Sequence, residues 1–208
     1  MTITSVSLHY FDLADKPPTV GYGENLNLLL KDSGIDYTYD RYDLSGWPEM
    51  KADLAKRSVL HPTMPYVEVD GKTLAKTVPT MRYLARKLGK YMGSNDDENY
   101  ILECVADSVR DHFGTWVVLV RCDDQEKLKE HFEKDTIKYL GIYDTIYGRN
   151  EGPYILGEEI SYADFLVYHM LDDDFIALKH VEDYPNVAKF VKAFTKRPNL
   201  APYFDSLK

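Results

Sequence analysis

The stretch from Thr63 to Gly89 reads T-M-P-Y-V-E-V-D-G-K-T-L-A-K-T-V-P-T-M-R-Y-L-A-R-K-L-G. Tyr66 to Val69 and Lys72 to Leu74 are rich in β-formers, and Asp70-Gly71 between them signals a tight hairpin. A helix is expected to open at Thr77, which can cap it; Pro79 is tolerated because first-turn N–H groups lack intrahelical partners. The layout sets those N–H groups beside Lys76 at a strand end, where a small carboxylate can bind. The same layout also fits an ordinary hairpin and helix with a solvated lysine.

Upstream, Val6 to Phe11 alternates as a first strand, and Asp12 to Gly23 is a loop dense in Pro and Gly. Glu24 to Ser33, with Leu26, Leu28, Leu29 and Leu30 and a stop at Gly34, reads as a buried helix. Asp36 to Tyr42 reads as a second strand, which must lie parallel to the first. Ser45 to Leu60 is irregular or a short helix. The order β-α-β, linker, β-β-α predicts a mixed four-stranded sheet covered by helices.

Lys90 to Asp97 (K-Y-M-G-S-N-D-D) turns polar and marks a boundary. The expected division is therefore domain 1–89, linker 90–97 and an all-α domain 98–208. In the second part, Tyr100 to Arg121 carries a helical stripe of Ile101, Leu102, Val105, Val109, Phe113, Trp116, Val117 and Val120. Gln125 to Tyr147 repeats it with Leu128, Phe132, Ile137, Leu140, Ile142 and Ile146. Gly152-Pro153 breaks the chain. Ser161 with Asp164, and Ile160 with Phe165, form a capping box and staple for the next helix. A last helix runs from Pro185 to Thr195.

Composition narrows the function classes. A net charge of −9 over 208 residues argues against nucleic-acid or anionic-membrane surfaces. No run of about 18 apolar residues suggests a transmembrane helix, and Met1-Thr2-Ile3-Thr4 leads toward a strand rather than a secretory signal. Cys104 and Cys122 have no CxxC spacing and read as reduced thiols of a cytoplasmic protein.

Five segments in order resemble the glutathione transferase superfamily over essentially the whole chain. Leu8-His9-Tyr10-Phe11 is similar to the first strand of the sigma class, whose tyrosine carries catalysis. Trp47-Pro48-Glu49-Met50-Lys51 matches that class's Trp-Pro-Glu-x-Lys segment. Met64-Pro65 through Gly71 resembles the cis-proline and third strand, Thr77 to Leu84 the following helix, and Gly157 through Asp164 the buried capping box. The resemblance implies an α/β thioredoxin-like N-terminal domain followed by an α-helical bundle, with glutathione as co-substrate and no metal.

By that resemblance Tyr10 is the catalytic hydroxyl. Trp47 and Lys51 contact the glycyl carboxylate of glutathione, Met64 before cis-Pro65 pairs with its cysteinyl backbone, and Thr77 takes the γ-glutamyl carboxylate with Lys76 beside it. Asp111, or Asp107 one turn earlier, reaches the γ-glutamyl ammonium across a homodimer. Tyr22, Phe113, Trp116 and Val117, with Tyr203 or Phe204, are candidates for a hydrophobic-substrate pocket. The sequence departs from the family pattern at Lys76 (usually glutamine) and Thr77 (usually serine). The Asp12–Gly23 loop is longer and lacks the usual arginine, with Tyr22 in its place, and Ala55 to Pro62 is inserted. Conjugation of a hydrophobic electrophile, glutathione-dependent peroxide reduction or isomerisation, and a non-catalytic scaffold all remain open at this level. A cysteine-based oxidoreductase is disfavoured because no cysteine precedes Cys104.

Overall fold

A computed structural model describes residues 3–13 and 16–208. The start at Met1-Thr2 and the loop positions Ala14 and Asp15 lie outside the described residues. The chain forms two compact units, 1–92 and 93–208.

The first unit is built on β1 (Val6–Phe11), β2 (Thr38–Tyr42), β3 (Tyr66–Val69) and β4 (Lys72–Ala75), in the order β2-β1-β3-β4. β1 and β2 are parallel, and β1/β3 and β3/β4 antiparallel, as one crossover helix and one two-residue hairpin require. The second strand starts at Thr38 rather than Asp36. Asp70 and Gly71 both take positive φ (50° and 79°), the type I′ signature of a hairpin turn. α1 (Gly23–Ser33) buries Leu26, Leu28, Leu29 and Leu30 and ends at left-handed Gly34. The connection after β2 is more regular than expected: a 3-10 turn over Leu44–Gly46 leads into α2 (Trp47–Lys56), where Pro48 suits the first turn.

α3 (Thr77–Leu88) begins where expected, but Thr77 is its first helical residue, not its cap. Lys76 is the cap, at φ 72° and ψ 119°, with no side-chain capping bond. The expected linker is also shorter. Tyr91 is buried and donates to Asp32 at 2.9 Å, and α4 already starts at Asp96, capped by Asn95 Oδ1 on the Glu98 N–H.

In the second unit, α4 (Asp96–Trp116) buries Leu102, Val105, Ala106, Val109, His112 and Trp116. It stops at Trp116 instead of Arg121, where β-branched Val117, Val118 and Val120 lower helix propensity. α5 (Gln125–His131) passes through a π-turn over Phe132–Thr136 into α6 (Ile137–Tyr147). The wider turn rotates the remaining helix by about 100° per added residue. Ile137 therefore ends up 41% exposed, while Tyr139, Tyr143 and Tyr147 go inside. α7 (Tyr162–Asp173) carries the capping box, a 3-10 segment covers Ala177–Asp183, and α8 (Pro185–Thr195) and α9 (Ala201–Ser206) follow. Asp164 is fully buried and accepts from Ser161 N and Oγ (2.7 Å each), Ile155 N and Tyr147 Oη (3.1 Å each).

Candidate functional site

Strand register brings the candidate residues of the first unit to one end of the sheet. His9 pairs with Tyr66, and Tyr66 with Ala75. The antiparallel ladders end at these pairs, and Tyr10-Phe11, Met64-Pro65 and Lys76-Thr77 all fall just past them, at one end of the sheet. β2 runs parallel to β1 and so delivers the chain into α2, with Trp47 and Lys51, at that same end. Four segments far apart in sequence therefore meet because of topology alone.

Tyr10 and Phe11 end β1 with their rings tilted against each other, centroids 5.5 Å apart. Tyr10 is 9% exposed, and its ring occupies a slot left by two glycines. A Cβ on Gly21 would lie 2.3 Å from the Tyr10 hydroxyl oxygen, and one on Gly23 would lie 2.5 Å from ring atoms Cγ and Cδ1. Gly21 has φ 87°, a conformation that glycine adopts without steric cost. The Arg41 guanidinium lies 5.9 Å from the Tyr10 ring centroid and donates to Pro18 O at 3.1 Å.

Phe11 meets Trp47 edge-on, with centroids 5.7 Å apart. Both line a cleft of about 450 Å³ with Lys51, His61, Pro62 and Met64. The cleft thus gathers three candidates, Trp47, Lys51 and Met64, with the exposed Lys51 supplying a cation. The Met64-Pro65 peptide is cis. Across the ladder Thr77 is half-buried and Lys76 exposed, and the positive φ of Lys76 costs on the order of 1–3 kcal/mol in a non-glycine residue. That backbone turn sends the chain from β4 into the first turn of α3, whose N–H groups and Thr77 hydroxyl suit a carboxylate.

The second unit holds the other candidates. Asp107 and Asp111 are both exposed on α4, one turn apart. Phe113 is half-buried and Val117 is 40% exposed. Trp116 does not suit a substrate pocket: it is 2% exposed, packed edge-on against Phe175 at 5.3 Å and beside His131, so its indole belongs to the helical core. Tyr22 is half-buried as the residue preceding α1.

Sequence reasoning missed Phe11, Arg41 and the inserted wall at His61-Pro62. Two glycines spaced around Tyr22 were the available signal for the tyrosine slot. Arg41 carried none, because its position beside Tyr10 follows from parallel register.

The chain matches the model for the N-terminal domain of glutathione S-transferases over residues 7–86 and the model for the C-terminal domain over residues 110–207. Glutathione S-transferase P 10 of Caenorhabditis elegans is 30% identical, covering 97% of this chain and 91% of its own. The Onchocerca volvulus Pi-class glutathione S-transferase superimposes with a TM-score of 0.82 at 22% identity, covering 98% of this chain and 93% of its own, a likeness of fold. The Nu-class enzyme of Haemonchus contortus gives a TM-score of 0.77 at 26% identity, over 98% and 97% of the two chains. Two domain models in order, a full-length relative and a matching fold carry one conclusion: the chain belongs to the glutathione S-transferase family.

Proposed function

We propose that this family member is a glutathione transferase whose Tyr10 activates the glutathione thiol for conjugation to a hydrophobic electrophile. The observation that carries this reading is the convergence of Tyr10, Trp47, Lys51, Met64-Pro65 and Lys76-Thr77 at one sheet end. A thiol near pKa ~8.5 is only a few per cent thiolate at pH 7. A hydroxyl donating to the sulfur favours the anion, and each unit by which the pKa falls is worth ~1.4 kcal/mol. Trp47 and Lys51 hold the glycyl carboxylate, the Met64 backbone pairs with the cysteinyl unit as an added strand, and Thr77 with the α3 N-terminus holds the γ-glutamyl carboxylate. Lys76 adds positive charge at that end. Holding thiolate and electrophile together supplies much of the remaining rate.

The working form is a cytoplasmic homodimer, with Asp111 (or Asp107) reaching the partner's γ-glutamyl ammonium and Tyr22, Phe113 and Val117 shaping the electrophile pocket. Within the family, the Leu8–Phe11 and Trp47–Lys51 segments support a sigma-like tyrosine type, although the relatives named above carry P, Pi and Nu designations.

The test is conjugation of a model aryl halide by the parent and Tyr10→Phe. Saturable conjugation is expected in the parent and a strong loss in the variant, greatest below the free thiol's pKa and fading above it. Equal rates in the two proteins remove Tyr10 from the mechanism. Absence of heat with millimolar glutathione in calorimetry would instead support the non-catalytic scaffold, a reading that the Lys76 substitution favours.

A further inference from the structure

The helical unit buries a second constellation that the thiol chemistry does not use. His112 of α4, His131 at the end of α5 and Asp174 just after α7 are 0%, 3% and 0% exposed. His112 Nε2 lies 3.2 Å and His131 Nε2 3.1 Å from the same oxygen, Asp174 Oδ2. The Thr136 hydroxyl donates to that oxygen at 2.8 Å.

We propose that His112 Nε2, His131 Nε2 and Asp174 Oδ2 are three ligands of a structural divalent-metal site of the zinc class, with Thr136 Oγ1 or a water completing it. The first support is spacing. Bonds of 2.0–2.1 Å at tetrahedral angles set neighbouring ligand atoms about 3.3 Å apart, and the two His–Asp separations are close to that. All three ligand atoms lie within 4.8 Å of one another.

The second support is the far side of each ring. A metal-bound imidazole presents its other N–H to a carboxylate or other acceptor, which fixes its tautomer and orientation. His112 Nδ1 is 3.2 Å from the Tyr143 hydroxyl oxygen. His131 Nδ1 is buried and faces the Asp135 carboxylate at 3.6 Å. With Asp174, that carboxylate balances the two positive charges of the ion.

The third support is the π-turn. Five residues separate His131 from Thr136, a spacing that a regular α-helix would place on different faces; the π-turn turns both toward Asp174. Such turns recur at functional sites. Two imidazoles and one carboxylate without thiolate suit zinc, whereas magnesium and calcium prefer oxygen ligands. The ion would tie α4, α5 and the end of α7 together across a chain separation of 62 residues.

The full chain, stripped with a chelator and free of glutathione and other thiols, is to be titrated with zinc and, separately, cobalt(II). About one ion per chain should survive desalting, and at a hundredfold excess over Kd the melting temperature should rise by about 5–10 °C. Cobalt should show the intense visible absorption of a four-coordinate site. His131→Gln should abolish the shift. Asp135→Asn, which touches no ligand atom, should weaken binding about tenfold and keeps the test valid if the first variant misfolds. No retained ion, or equal retention by both variants, overturns the proposal and leaves a hydrogen-bonded cluster with protons on both Nε2 atoms.

Discussion

Gly23→Ala isolates the role of the tyrosine slot. The added methyl would sit 2.5 Å from Cγ and Cδ1 of Tyr10 and 2.6 Å from the Tyr39 hydroxyl oxygen. Ordinary carbon contacts are about 3.5–4.0 Å, so the ring or the start of α1 must shift by about 1 Å. Turning the ring about its Cβ–Cγ bond gives no relief at Cγ, which lies on that axis. Overpacking of this kind costs about 1–3 kcal/mol, partly offset by the 0.5–1 kcal/mol or so that alanine gains over glycine in a helix. A fall in Tm of about 3–6 °C follows for a chain of this size. The catalytic cost should be larger. Misplacing a reacting group by about 1 Å costs up to about 10²-fold, and a hydrogen bond to a charged sulfur is worth about 1.5–3 kcal/mol. We expect kcat/KM to fall by about 10- to 100-fold for Gly23→Ala. Because the effect runs through the hydroxyl, Gly23→Ala combined with Tyr10→Phe should be little worse than Tyr10→Phe alone. The assay is steady-state conjugation beside thermal denaturation for the parent, both single variants and the double variant. A Gly23→Ala enzyme within about twofold of the parent, or full additivity in the double variant, would refute the reasoning.

Three further outcomes are expected. Asp164→Ala leaves four buried donors without their acceptor and should cost about 3–5 kcal/mol; it is best measured by denaturant unfolding at about pH 8, above the value of about 6 to which burial lifts this carboxyl, and a loss below about 1 kcal/mol contradicts the capping account. Lys51→Ala, removing an exposed cation at the cleft, should raise KM for glutathione about three- to fivefold with kcat retained; a fall in kcat alone would move Lys51 out of ground-state binding. His9 stacks on Tyr66 at 4.3 Å and contacts the Tyr42 hydroxyl at 2.9 Å. Burial lowers its pKa, against the opposing pull of Asp40 and Glu68, so the unfolded chain takes up the proton first. Its contribution is complete above about pH 6.5 and is lost as pH falls through the lowered folded value. Stability of the parent should therefore drop toward acid relative to His9→Phe, and parallel stability curves for the two would contradict this.

The sheet and its order were legible because short patterns declare them. Asp70-Gly71 marks the hairpin, Gly34 stops the first helix, and a helix between two strands enforces a parallel pair. The capping box was equally plain, since Ser161 and Asp164 are three residues apart. The candidates at the sheet end could be named only through family resemblance, because no local rule says that Tyr10, Trp47 and Met64 lie together. Periodicity identified Trp116 as part of a stripe but could not say that the stripe faces the core at that point. The π-turn was invisible because an extra residue in a helix leaves no mark in composition. His112, His131 and Asp174 are separated by 19 and 43 residues, and only tertiary packing joins them.

The strand-end placement of the site also governs how the first unit can fluctuate. Beside α2, its contributors are the last residues of β1, the residues just before β3 and those just after β4, which lie at and just past the last antiparallel pairs, His9–Tyr66 and Tyr66–Ala75. Local melting at the site therefore amounts to fraying that end of the sheet, so amide exchange near Met64 should be faster than at the paired residues Val67 and Val69. A ligand spanning these segments then acts as one more rung, and its protection should spread along β1 and β3 rather than stay confined to a loop.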